Sequence, residues 1–201
     1  MSWYQYKLLE PSECPDYVDY FDQHSNIIDV EWNFDMNHRK HTMIHINTEH
    51  DLYKKIHNRL TSMHAEVCNA LDIPVVSKVR LFNVFINRYT EGDFCNWHFD
   101  RGQYKRFGND EPEPTNPRLF NVSVNLNTGY SGGNLLIKIP KITPIPLRPI
   151  GISTSFSTKF CHKVTEVTSG VRYSLITWLY ADDNPAYYDG VPENWVVKNE
   201  Y

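Results

Sequence analysis

Trp97-His98-Phe99-Asp100 is the stretch from which the rest of this 201-residue chain is read. In an extended strand, residues two apart point to the same face, so His98 and Asp100 present an imidazole and a carboxylate to one point. A second stretch, Cys161-His162, supplies another imidazole from a neighbouring strand. Two histidines and one carboxylate make the facial triad that holds non-haem Fe(II) and leaves several coordination positions open. His98, Asp100 and His162 are therefore the candidate metal ligands.

An H-x-D triplet is a weak signal alone, since nine histidines and thirteen aspartates among 201 residues make a chance occurrence unsurprising. His64-Ala65-Glu66 has the same spacing but falls in an expected helix, where the two side chains diverge by about 200° and cannot share a metal. Cys95-x-x-His98 with Cys161-His162 could be recast as a four-ligand zinc site. Strand alternation opposes that, because Cys161 points away from the face that carries His162. His41 and His45 share a face in a strand or a helix and with His38 could make an adventitious metal site, but their plain reading is a solvated or partly buried pair on the finger.

Around these stretches the pattern is one of short strands after helices confined to the first part. Residues 3–9 read as a strand, and Ser12 to His24 as a helix with Ser12 as N-cap and Pro15 in its first turn. Residues 26–34 and 41–46 read as two strands of a long finger with a polar tip at 35–40. Asp51 to Leu71 is the clearest helix: Leu52, Ile56, Leu60, Met63, Val67 and Leu71 recur at three- and four-residue steps, and Pro74 stops it.

Beyond Pro74, Val79 to Tyr89 and Phe94 to Asp100 read as strands. Arg101 to Pro117 is a polar loop, long enough to be a lid. In Leu119 to Asn127, Phe120, Val122, Val124 and Leu126 take one face; Asn121, Ser123 and Asn125 take the other, as a solvent face or as the polar wall of a pocket. Strands follow at 134–139, 150–157, 160–167 and 171–180, with a proline-rich connection at 140–149. This spacing gives a mainly β fold with supporting helices and a double-stranded β-helix (jelly-roll) core. The expectation is one domain over 1–201: helical support and finger at 1–77, core at 78–181, tail at 182–201.

Bulk properties narrow the function. A length of 201 residues with 41% hydrophobic and 14% aromatic residues suits one sizeable core. A net charge of −4 argues against a phosphate-backbone binder, which needs a basic stripe. No apolar run approaches the roughly 18 residues that span a bilayer, and MSWYQYKLLE lacks a signal-peptide layout. Cys14, Cys68, Cys95 and Cys161 form no C-x-x-C pair. The expectation is a reduced, soluble, cytoplasmic protein that binds neither nucleic acid nor membrane.

The C-terminal stretch sharpens the metal reading. Arg172 follows His162 by ten residues, with a turn at Ser169-Gly170. In the hairpin this suggests, Arg172 lies on the strand antiparallel to that of His162, offset on the order of 10 Å at ~3.3 Å per residue. A five-carbon dicarboxylate chelating the metal at one end would meet the guanidinium at the other, and Ser174 shares a face with Arg172. The series His98-x-Asp100, His162, Arg172-x-Ser174 resembles the Fe(II)- and 2-oxoglutarate-dependent dioxygenases, and within them the prolyl-hydroxylase group. The resemblance runs from about Val79 to Tyr180. It includes Tyr89-x-x-Gly92 ahead of the first ligands, Gly132-Gly133-Asn134-Leu135-Leu136-Ile137, and the closing Val167-Thr168, Arg172-Tyr173-Ser174-Leu175 and Trp178. Two positions depart from it: Cys95 stands where an aromatic is usual, and Asn125 replaces a pocket tyrosine.

The resemblance implies that His98, Asp100 and His162 bind Fe(II). It implies further that Arg172, Tyr89 and Ser174 hold the 5-carboxylate of 2-oxoglutarate, and that Asn125 lines the pocket; Trp178 reads first as core, and its shared parity with Arg172 makes it a second candidate for the pocket lining. Oxidative decarboxylation to succinate and carbon dioxide, with O2, would accompany hydroxylation of an amino-acid side chain. Proline in a peptide or protein leads as substrate. A free amino acid or small metabolite is the alternative within enzymes, and a non-catalytic jelly-roll binding module the alternative outside them. Related halogenases lack the carboxylate that Asp100 supplies, which favours hydroxylation. The nucleic-acid demethylase branch carries a second arginine where Trp178 stands.

Overall fold

Alternation along one central strand separates a packed side of the protein from a hollow one. The computed structural model describes residues 2–25, 39–81, 83–100, 118–139, 141–146 and 149–181. In chain order its elements are β1 (Trp3–Lys7), a 3-10 turn (Pro11–Glu13), α1 (Cys14–His24), β2 (Arg39–Lys40), β3 (Thr42–His45), α2 (Asp51–Leu71) and β4 (Val79–Leu81). There follow β5 (Phe85–Tyr89), β6 (Phe94–His98), β7 (Arg118–Asn125), β8 (Ser131–Gly132), β9 (Leu135–Ile139) and β10 (Lys141–Pro144). The last are β11 (Ile152–Ser157), β12 (His162–Val164), β13 (Val167–Ser169) and β14 (Arg172–Ala181). The larger sheet runs β1-β11-β7-β14-β5-β3, with β4 also on β14, and the smaller runs β10-β9-β12-β6-β2. The fold is mainly β with two supporting helices, in the double-stranded β-helix arrangement.

From β7 the side chains of Phe120, Val122 and Val124 enter the main core, where they join Leu175 and Leu179 of β14 and the buried face of α2. That face is Leu52, Ile56, Leu60, Val67, Cys68 and Leu71. Each fully buried aliphatic side chain contributes about 1.5–3 kcal/mol relative to exposure. Ile56 is fully buried in the second turn of the helix. Ile56→Ala is expected to cost about 2–5 kcal/mol, because a cavity adds to the lost transfer energy; chemical denaturation measures it.

Helix α2 has the bounds its periodicity predicts, but it ends earlier than Pro74 requires. Asp72 adopts the left-handed region at φ 56°, and its N–H bonds back to the carbonyls of Cys68 and Asn69. Helix α1 starts differently from expectation. Ser12 lies inside the 3-10 turn and is not the cap. Glu13 Oε2 instead accepts from the Glu10 N–H at 2.8 Å. The same carboxylate pairs bidentately with Arg59 of α2 at 2.7 and 2.9 Å, tying the two helices together.

Four further differences concern the strands. Val79 to Tyr89 is two strands, β4 and β5, and the proline-rich connection contains β10, paired antiparallel with β9. Arg39–Lys40, expected in the finger tip, pairs with β6, while β3 pairs with β5. His162 and Arg172 do not share a hairpin. β12 lies in the smaller sheet beside β6 and β9, and β14 lies in the larger sheet between β5 and β7. Between them β13 pairs with β8, and the chain changes sheet. Gly170 makes that passage with φ +75°, where an added Cβ would sit 2.5 Å from the Gly129 carbonyl oxygen. The first finger strand, most of its tip, the 101–117 loop and the 182–201 tail lie outside the described residues. No helix among the described residues is long and apolar enough to cross a membrane.

Candidate active site

Strand pairing brings the two histidines together. His98 closes β6 and His162 opens β12, and the two are direct cross-strand partners, with ring centroids 4.2 Å apart. Asp100 lies just beyond the end of β6 and turns back toward both. Its Oδ1 is 3.5 Å from His98 Nε2 and its Oδ2 is 3.4 Å from His162 Nε2. One ligand atom from each of the three lies within 4.8 Å of the others. The far nitrogens are engaged with backbone: His98 Nδ1 with the Asn96 carbonyl at 2.7 Å, His162 Nδ1 with the Phe160 carbonyl at 3.2 Å. With a metal bound, a proton on each Nδ1 would leave both Nε2 lone pairs aimed at the shared centre.

Two residues brace Asp100. Trp178 Nε1 donates to Asp100 Oδ2 at 2.8 Å, and Arg118 Nη1 donates to the Asp100 carbonyl at 2.7 Å. Arg118 also donates from Nε to the Tyr180 hydroxyl and lies 4.5 Å over the Trp178 ring. Trp178 stands on the cavity wall as the sequence suggests, but its bond to the carboxylate has no sequence signal. Arg118 was not singled out. Its signal is a single charge at the head of an otherwise apolar and amide-bearing strand, which has to find buried partners.

Electrostatics prepare the site for a cation. Burial works against charge on Asp100, but the two imidazoles and the Trp178 donor outweigh it and hold the carboxyl well below the usual range. Burial pushes His162 down to about 4, despite the nearby Asp100 charge, so this imidazole is neutral. Burial would lower His98 as well, but hydrogen bonding to Asp100 and Cys95 carries it up to about 10. The metal-free centre thus holds one proton between His98 and Asp100, and that proton leaves when a divalent cation enters.

The cavity between the sheets is lined by the triad together with, among others, Tyr89, Asn121, Phe156, Ile176 and Trp178. Arg172 lies behind Tyr89, 1% exposed, with its guanidinium 5.0 Å from the ring centroid. Its Nη1 donates to Ser174 Oγ at 3.2 Å, and its Nε is buried without a partner among the described residues. His41 stacks on Tyr89 at 4.6 Å; burial and the charges of Arg39 and Arg172 lower its imidazole to about 4. Gly133 packs on the Arg172 stem, where an added Cβ would meet Cδ at 2.7 Å. Asn125 is cross-strand from Ser174, and its carboxamide is occupied: Nδ2 donates to the Asn127 carbonyl and Oδ1 accepts from the Tyr130 hydroxyl. Neither Asn125 nor Tyr130 is among the residues that line the cavity, and the bond between them has no sequence signal. The decoy His64 bonds to the Thr61 carbonyl, and Glu66 accepts from Tyr4, so both are in structural use.

The donor set of two imidazoles and one ionised carboxylate suits Fe(II) with open positions. A buried guanidinium with no ion-pair partner among the described residues suits a carboxylate at the far end. Two antiparallel sheets closed over such a centre define a jelly-roll with a facial-triad metal site. Residues 84–180 match the model of the 2OG-Fe(II) oxygenase superfamily, and the chain belongs to it. It is an Fe(II)- and 2-oxoglutarate-dependent dioxygenase.

Solved structures of prolyl hydroxylases share the fold. The viral collagen prolyl hydroxylase of Paramecium Bursaria Chlorella virus-1, in its 2-oxoglutarate complex, aligns with TM-score 0.69 and 18% identity over 90% of this chain and 97% of that one. A Pseudomonas putida prolyl-4-hydroxylase aligns at 0.68 and 15% identity over 90% and 93%. A Trichoplax adhaerens prolyl hydroxylase, complexed with a hypoxia inducible factor peptide fragment, aligns at 0.62 and 14% identity over 90% and 84%. Comparison with curated protein sequences gives no match.

Proposed function

We propose that this dioxygenase hydroxylates an amino-acid side chain, and that its substrate is proline within a peptide or protein. The observation that carries the proposal is the agreement of fold with three prolyl hydroxylases across nine-tenths of the chain, one of them holding a peptide fragment. His98, Asp100 and His162 hold Fe(II); Arg172, Tyr89 and Ser174 hold the 5-carboxylate of 2-oxoglutarate. When bound, the iron and cosubstrate supply the chemistry: O2 is consumed, 2-oxoglutarate becomes succinate and carbon dioxide, and a substrate C–H becomes C–OH. The protein's own part is positional. Trp178 and Arg118 fix Asp100, the Nδ1 bonds fix both imidazoles, and the apolar side chains of Phe85, Phe156 and Ile176 keep the cavity dry. The free thiols of Cys14, Cys68, Cys95 and Cys161 support a reducing, cytoplasmic location. The 101–117 loop and the finger are proposed as substrate covers within a single domain.

A peptide library incubated with Fe(II), 2-oxoglutarate and O2 tests this by mass spectrometry. The expected result is a gain of one oxygen on proline-bearing peptides with one succinate released per oxygen gained. Oxygen found on free amino acids and on no peptide would contradict the substrate assignment while leaving the enzyme class intact.

A further inference from the structure

Asn121 sits where nothing in the protein uses it. It is 4% exposed, and neither Oδ1 nor Nδ2 has a hydrogen-bond partner among the described residues. It lies on the cavity face of β7, with Phe156 and Trp178 as its cross-strand neighbours. Phe156 packs edge-on against His162 at 4.8 Å, and Trp178 bonds to Asp100, so Asn121 stands opposite the triad. A buried carboxamide that makes neither of its bonds costs free energy in the empty protein. Such a cost is retained where a ligand supplies the partners.

We propose that Asn121 reads the main chain of a peptide substrate, donating from Nδ2 to a backbone carbonyl and accepting at Oδ1 from a backbone N–H. The proposal rests on the peptide-hydroxylase reading above and names the residue that enforces it. In an extended chain the N–H and C=O of one residue point to the same side, matching the paired donor and acceptor of a carboxamide. Proline lacks an N–H, so the residue gripped is a neighbour of the proline. The 5-carboxylate of the cosubstrate is out of reach. Its proposed anchor, Ser174, is cross-strand from Asn125, four residues from Asn121 along β7 and so about 13 Å away. A free amino acid is a poorer occupant, since it would bring two full charges to a neutral amide.

Asn121→Leu, close to asparagine in shape, tests this with three readings. The expected result is a fall of about 10- to 100-fold in kcat/KM for proline-bearing decapeptides with blocked termini, carried mainly by KM. Fe(II) and 2-oxoglutarate binding, read from their charge-transfer absorbance, stays as in the wild type. The substrate-free melting temperature rises, because two unpaired polar atoms have left the interior; a purely structural asparagine would lower it. An unchanged peptide KM, a loss of 2-oxoglutarate binding, or a lower melting temperature each overturns the proposal, as does failure of both Asn121→Leu and Asn121→Ala to fold. Wild-type turnover of free proline but no blocked peptide overturns the substrate reading and this inference together. Peptide turnover that Asn121→Leu matches overturns the inference alone.

Discussion

Asp100→Ala is expected to leave a folded protein that neither retains Fe(II) nor turns over. Asp100 is the triad's sole anion and faces both Nε2 atoms at 3.4–3.5 Å. Without it two neutral imidazoles face one another across a dry cavity, and nothing offsets the charge of an entering cation. Metal chemistry of this kind supplies several kcal/mol of activation free energy, so activity should fall about 1,000-fold or more. The fold should survive, because the neighbouring braces are bonded elsewhere: Arg118 keeps the Asp100 carbonyl and the Tyr180 hydroxyl. Metal content after desalting and succinate production check the two halves. A variant that keeps iron at the wild-type level would remove Asp100 from the ligand set.

Arg172→Leu is expected to act on the cosubstrate alone. Arg172 is one of the largest fully buried side chains, and its hydrogen-bond partner among the described residues is a neutral hydroxyl, Ser174 Oγ. Pairing with an incoming carboxylate supplies the missing counter-charge, and truncating one member of such a buried pair costs about 2–5 kcal/mol. The KM for 2-oxoglutarate should therefore rise by about 30-fold or more, with Fe(II) affinity unchanged. The substrate-free variant should be no less stable than the wild type, because an apolar side chain replaces a buried charge. Steady-state kinetics at varied 2-oxoglutarate, with a melting curve beside them, read both effects. An unchanged KM would place the 5-carboxylate elsewhere.

Both predictions use residues that were legible before any coordinates. The spacing of His98 and Asp100, their distance from His162, and Arg172 six residues ahead of Trp178 are local facts that strand periodicity turns into geometry. The faces of β7 and the bounds of α2 follow from periodicity in the same way. What periodicity does not carry is which sheet a strand joins. His162 and Arg172 read as two arms of one hairpin, yet the passage through β13 and Gly170 sends them to opposite sheets. Both arrangements place a strand, a turn and a strand in the same order. The choice is made by partners far away in sequence, β6 and β9 for one and β5 and β7 for the other. Strand β10 was hidden for a related reason. Pro144 carries no N–H, but an edge strand needs bonds on one side only and tolerates it. Arg118 and Tyr130 bond to other segments of the chain, and Asn121 has no hydrogen-bond partner among the described residues; no single-strand pattern encodes either.

An anaerobic titration of the metal-free wild-type protein with Fe(II) and 2-oxoglutarate, followed by visible absorbance, addresses the centre itself. A charge-transfer band that needs both additions, saturates at one iron per chain and is absent in His162→Ala is the predicted result. No band in the wild type, or an equal band in His162→Ala, would contradict the placement of iron and cosubstrate between His98, Asp100 and His162.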